Sequence, residues 1–152
     1  MAYDLLIRDL SSKASQKAIG TDKGLAKIGD GIVNFAYSVA KSIFLTKNSV
    51  NDKIIRTGKK VNKSILADAL KKANLKMFAK TRADAHDLAD TVEALVAYVW
   101  LTGEVNLESM INIISENLSG DLQSRTEETK NATIAFTKLL DYIKNYLPKS
   151  KI

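Results

Sequence analysis

The residues best suited to chemistry are Asp90 and Glu93, two carboxylates three positions apart in an otherwise apolar stretch. On a helix this spacing projects both from one face. Like charges so placed cost a helix about a few tenths of a kcal/mol unless a cation or a base compensates. Asp87 sits a further turn back on the same face, with His86 beside it. An isolated pair of this kind reads most simply as a solvated acidic stripe. Here small or apolar residues flank the pair, and the chain becomes almost wholly hydrophobic immediately after it. Upstream, the stretch from Lys47 to Arg82 carries eleven basic residues, opposed only by Asp52 and Asp68. The segment from Asp84 to Glu108 then has no lysine or arginine. A basic middle beside an acidic segment is what a phosphate-binding surface next to a cation site needs, and a lysine-rich solvated face is the plainer alternative.

Composition removes several other chemistries. With no cysteine there is no thiol nucleophile, disulfide, zinc finger or iron–sulfur cluster. The single histidine cannot assemble a paired-histidine phosphohydrolase centre around His86 and Asp87. A Ser-His-Asp arrangement lacks its G-x-S-x-G elbow and the strand scaffold beneath it. Gly29 and Gly31 lie in a helical pattern without a lysine-serine partner, so they suit close helix packing better than a phosphate-cradling loop. The 152 residues suit one domain, 1–152, with a single core. A net charge of +6 favours polyanionic partners. Asp4, Arg8 and Asp9 interrupt any N-terminal apolar core, and the run from Ala94 to Leu101 is too short to span a bilayer. A cytoplasmic protein with no membrane partner is expected.

The elements that must position these residues read as helices throughout. Leu5, Leu6 and Leu10 suggest a first helix ending before Gly20. Leu25, Ile28, Ile32, Phe35, Ala36, Val39 and Ile43 step by three and four, predicting a second from about Lys23 to Phe44. Asn62 can cap a third, running to about Ala73 with Ile65, Leu66, Ala69 and Leu70 inward. A fourth begins near Asp84, buries Leu88, Ala89, Val92, Leu95, Val96 and Val99, and stops at Gly103. Asn106 can cap a short helix closed by Gly120, and a last one spans about Asp121 to Leu147. Ser124 and Glu127 have capping-box spacing, which allows that start to move by a turn. The fold class is all-α.

The stretch Leu88-Ala89-Asp90-Thr91-Val92-Glu93-Ala94-Leu95-Val96 closely resembles the helix of the ribonuclease III family that carries its A-D-x-x-E-A-L motif. Ile28-Gly29-Asp30-Gly31-Ile32-Val33 is similar to the G-D core of that family's signature. The order agrees, and sixty residues separate Asp30 from Asp90. The resemblance covers about twenty residues closely, and the small stand-alone members of the family look nearest. It implies a homodimeric helical endonuclease fold that hydrolyses double-stranded RNA to 5′-phosphate and 3′-hydroxyl ends. It further implies that Asp30, Asp90 and Glu93 hold Mg²⁺, with Mn²⁺ as a substitute. Glu93 is the ligand whose loss would stop chemistry most completely.

The departures concern the same site. The family's glutamate four residues before the G-D aspartate is Ala26 here, and a further upstream acidic position is Lys23. The compact branch of the family also has an alanine there but places an acidic residue four after the aspartate, where this chain has Asn34. Asn34 is a candidate helper ligand through its amide oxygen, without charge. Lys59, Lys60, Lys63, Lys71 and Lys72 are the candidates for contact with the RNA backbone. A-form RNA hides its base edges in a narrow major groove, so phosphates and 2′-hydroxyls must carry recognition. Tyr98 and Trp100 suit the core or a dimer interface better than base stacking, and the apolar excess from Val96 to Leu101 is a candidate dimer surface. Two readings stay open: a metal-dependent endoribonuclease, and a catalytically weak or inactive dimer of the same fold that binds RNA or serves in assembly.

Overall fold

The computed structural model describes residues 3–11 and 15–149, and among these it contains helices and loops but no strand. Seven α-helices follow in chain order: α1 Arg8–Ser11, α2 Gln16–Gly20, α3 Lys23–Lys47, α4 Lys63–Lys72, α5 Ala85–Leu101, α6 Leu107–Glu116 and α7 Arg125–Ile143. None is long and apolar enough to cross a membrane.

The centre of the molecule is α5. Leu88, Ala89, Val92, Ala94, Leu95, Val96, Ala97, Val99 and Leu101 are all buried, so this helix is hydrophobic nearly all round and must be covered on every side. Helices α3 and α4 do most of the covering, with α2 across its first turns. Outside them, α6 packs on α3 and α7, and α7 packs on α4. The stretch from Val96 to Leu101, expected as a dimer surface, is core apart from the half-buried Tyr98 and Trp100. Trp100 stacks on Tyr3, with ring centroids 4.8 Å apart.

Caps fix the starts. Asp22, Asn62, Asp84, Asn106 and Ser124 each accept backbone N–H bonds at the head of α3, α4, α5, α6 and α7. At α5 the cap is reciprocal, Asp84 bonding the Asp87 amide and Asp87 the Asp84 amide. The last helix therefore starts at Arg125 rather than near Asp121, and after Ile143 the chain tightens into a 3-10 turn, Lys144–Tyr146. Gly103 stops α5 with φ of 80°, a left-handed conformation suited to glycine.

Two expectations are corrected. The N-terminal segment is not one helix but a 3-10 turn, Asp4–Ile7, then α1 and α2, and Leu5 and Leu6 face solvent. In α3 the apolar residues split between two faces. Leu25, Val33, Ala36, Tyr37 and Ala40 are buried, while Ile28 and Phe35 are exposed and Ile32 is half-buried.

Residues 53–62 run extended along α3 as a strap. Four α3 side chains at four-residue spacing meet backbone groups of the strap at two-residue spacing. Asn34 Oδ1 accepts from Val61 N at 2.7 Å, Ser38 Oγ from Lys59 N at 2.9 Å, Ser42 Oγ from Thr57 N at 2.9 Å, and Thr46 Oγ1 from Ile55 N at 2.9 Å. The registers match because four helical residues rise about 6 Å and two extended residues about 6.6 Å. Extended backbone alternates, so the outward positions Arg56, Gly58 and Lys60 are exposed.

Candidate active site

Helices α3 and α5 cross at Gly29. A Cβ on Gly29 would lie 1.7 Å from the Glu93 carbonyl oxygen, so only glycine permits this approach. The crossing sets Asp30, the next residue of α3, beside the Glu93 side chain. Close packing thus explains Gly29, whereas Gly31 has open space around its Cα and no such role.

A cleft of about 340 Å³ opens over the crossing, lined by Asp30, Asp90 and Glu93 together with Lys23, Lys27, Lys60, Lys63 and His86. Ala26 lines its wall where a glutamate side chain would project inward. The carboxylates divide into two environments. Glu93 is buried, and its pKa is pushed up to about 8. Burial is the main cause, followed by the hydrogen bond and negative charge of Asp30 and the charge of Asp90, with Lys63 opposing. Burial and the neighbouring acids both favour the protonated form of Glu93 beside Asp30.

Asp90 is instead surrounded by nitrogen. Lys23 Nζ donates to its Oδ2 at 3.0 Å, His86 Nε2 lies 3.6 Å from the same oxygen, and Lys63 Nζ is 3.8 Å from Oδ1. The hydrogen bond and charge of Asp90 raise the Lys23 pKa. Among the described residues no three His, Asp or Glu side chains converge as a ready cage for an ion. Asp30, Asp90 and Glu93, expected to act together, line one cleft. Lys23 engages one of these carboxylates, Asp90. The carboxylate oxygens of Asp30, Glu93 and Asp90 are a donor set that would suit a small hard cation with few protein ligands.

Asn34, the candidate helper, is engaged on both sides of its amide. Its amide oxygen accepts from the strap at Val61, and it is the NH₂ group that turns to Asp30 Oδ1, at 3.1 Å. Asp87 belongs to the helix cap and pairs with Lys80 at 3.3 Å, so it stands apart from the other three acids. Its pKa is lowered, chiefly by the backbone hydrogen bond at Asp84.

The five expected RNA-contacting lysines separate. Lys60 and Lys63 rim the carboxylate cleft. Lys59 leans away toward Glu128 at 3.4 Å, and Lys71 faces Asp68 at 4.0 Å near the far end of α4, with Lys72 beside it. Sequence reasoning missed the group that holds Lys59. Glu128 is buried and takes hydrogen bonds from Tyr37 at 2.8 Å and Lys41 at 2.7 Å. Burial pushes its pKa up, but the bonds from Lys41 and Tyr37 and the charges of Lys41 and Lys59 outweigh it and leave the carboxyl below its usual range. Tyr37 and Lys41 are one helical turn apart, but Glu128 lies 91 and 87 residues away, with no local signal to connect them.

No curated protein matches the chain. The ribonuclease III family model matches residues 23–149, from the first residue of α3 to beyond the end of α7, and so takes in both carboxylate helices and the strap between them. With its G-D and D-x-x-E segments meeting at the α3–α5 crossing, the chain belongs to the ribonuclease III family.

Proposed function

We propose that this protein is an endoribonuclease that hydrolyses phosphodiester bonds in double-stranded or structured RNA, working as a homodimer with Mg²⁺, or Mn²⁺ in its place, and leaving 5′-phosphate and 3′-hydroxyl ends. The observation that carries this reading is the meeting of Asp30 and Glu93, from two helices, in a cleft rimmed by Lys23, Lys27, Lys60 and Lys63. A bound divalent ion supplies an activated water and neutralises charge building on the phosphate.

The side chains divide the remaining work. Asp30 and Glu93, joined by Asp90 where the ion displaces its lysine, would hold the ion, and Glu93 would do so in its ionised form, since a ligating carboxylate must be ionised. Lys60 and Lys63 seat the phosphates on either side of the reacting one. Lys23 and Lys63, both facing Asp90, put positive charge where the leaving oxygen develops its negative charge. Ile28 and Phe35, on either side of the half-buried Ile32, give α3 an outward apolar face, and a second copy of the chain is the partner that the family architecture implies for it.

A second reading draws on Ala26 in the cleft wall and Lys23 on Asp90: a dimer of the same fold that binds RNA but cuts it weakly or not at all. One comparison separates the two. Long duplex RNA is incubated with wild type and with Glu93→Gln, in Mg²⁺ or Mn²⁺ and in chelator. Cleavage by wild type that stops with chelator and with Glu93→Gln, duplex binding being retained, is the expected result. Equal cleavage by both removes Glu93 from the mechanism. Binding without cleavage by either makes the non-catalytic dimer the better account.

A further inference from the structure

Beyond the carboxylate cleft, two further depressions continue across the surface. The first, about 330 Å³, is lined by Lys59, Lys60, Lys63 and Arg125, and shares Lys60 and Lys63 with the carboxylate cleft. The second, about 500 Å³, lies between α4 and α7, is lined by Lys72, Arg125 and Lys130, and shares Arg125 and Thr129 with the first. The three therefore form one continuous course from the Asp30–Glu93 pair to the outer face of α7.

The charge along this course is unbalanced. Six cations line the two depressions against two carboxylates, Glu128 and Asp68. Both acids are already engaged, Glu128 by Tyr37, Lys41 and Lys59 and Asp68 by Lys71. Lys60, Lys72, Arg125 and Lys130 have no ion-pair partner among the described residues. Arg125 offers a planar fork that matches phosphate oxygens two at a time, and the Thr126 and Thr129 hydroxyls beside it add neutral donors. A lysine-rich solvated surface would scatter its cations over convex ground. Here they line concave ground that opens into the carboxylate cleft.

We propose that Arg125, Lys130 and Lys72 form a second phosphate-binding site, which takes the backbone of the same RNA duplex several phosphates away from the bond being cut. This rests on the endoribonuclease reading, because it is RNA seated over Asp30 and Glu93 that carries its neighbouring phosphates onto this course. The site gives a domain of this size extra reach along a duplex and reads shape and charge rather than sequence.

The test uses the full chain with Glu93→Gln as parent, so that RNA is bound and not cut, and follows anisotropy of a labelled duplex across a KCl series. Arg125→Ala with Lys130→Ala should weaken binding roughly tenfold, and the slope of log affinity against log salt should become shallower by about one for each phosphate that is no longer neutralised. Arg125→Lys should keep the salt slope, because the charge is kept, while losing the part of the affinity that the bidentate fork supplies. Lys60→Ala with Lys63→Ala is the control for the carboxylate cleft. If that control weakens binding while the Arg125 and Lys130 pair leaves affinity and slope unchanged, the second site is overturned and the endoribonuclease reading stands. If the parent binds no duplex at all, both fall. Arg125 and Lys130 lie on the surface, so unchanged circular dichroism melts are expected and would assign any weakening to the site rather than to folding.

Discussion

Asp90 is the residue at which this chain departs furthest from what its motif alone implies. Its spacing from Glu93 makes it a metal ligand on paper, yet its Oδ2 accepts from Lys23 at 3.0 Å and its Oδ1 faces Lys63 at 3.8 Å. A resident ammonium and an incoming divalent ion compete for one carboxylate, and removing the ammonium removes the competitor. Lys23→Ala should therefore tighten Mn²⁺ binding severalfold, measured by calorimetric titration of the metal-free protein. Unchanged or weaker binding would mean that Asp90 takes no part in holding the ion. Ala26→Glu adds charge to the same cleft from its wall and should act in the same direction. The identities of Asp30, Asp90 and Glu93 were legible in the sequence because helical spacing and motif order are local properties. Their division into an acid pair and a lysine-bound acid was not, because Lys23 lies 67 residues from Asp90 and meets it only through the α3–α5 crossing.

At the scale of elements, the caps and the apolar period of α5 made its start and its burial readable in advance, and Asn62 fixed α4 in the same way. The strap was not readable. A polar stretch around Gly58 has no period of its own, and its order comes from Asn34, Ser38, Ser42 and Thr46 on a different element. In α3 these four residues interrupt the hydrophobic pattern and look like an ordinary solvated face. The Ser38 and Ser42 hydroxyls also donate back to α3, Ser42 Oγ lying 2.8 Å from the Ser38 carbonyl, and reach the strap as well, Ser42 Oγ lying 3.1 Å from the Thr57 carbonyl. The strap in turn carries Lys60 to the cleft. Ser42→Ala leaves the Thr57 N–H without its partner, which costs about 1 kcal/mol where water can partly replace it. Hydrogen exchange at Thr57 and Lys59 should accelerate in this variant while the amides of α5 keep their protection. Uniform acceleration across the molecule would instead make the strap part of the global unfolding unit.

At the scale of the whole molecule, the question is which surface a second copy covers. The strongest apolar run in the chain, Val96 to Leu101, is occupied, since α3 and α4 pack over the helix that carries it. A sequence cannot separate a core helix from an interface helix when both are apolar. That separation needs the layer outside. Here the layer outside is α3, and its own pattern is wider than one face requires. Gly29, Val33, Ala36 and Ala40 turn inward, while Ile28 and Phe35 turn outward on either side of Ile32, which is half-buried against the core. Phe35 is 54% exposed, a large aromatic surface for a lone chain to leave in water. Two copies pairing through this face would bury Phe35 against its symmetry mate, since a two-fold axis places the same patch on both sides. They would also set two carboxylate clefts at fixed separation, because Asp30 belongs to the same helix. Phe35→Glu introduces like charges across that axis without disturbing the α3–α5 core. The expected result is a monomer by light scattering at micromolar concentration where wild type is a dimer, with the melting temperature measured on dilute protein little changed. A Phe35→Glu protein that remains dimeric would move the interface off α3. A wild type that is monomeric throughout would remove the homodimer from the proposed mechanism.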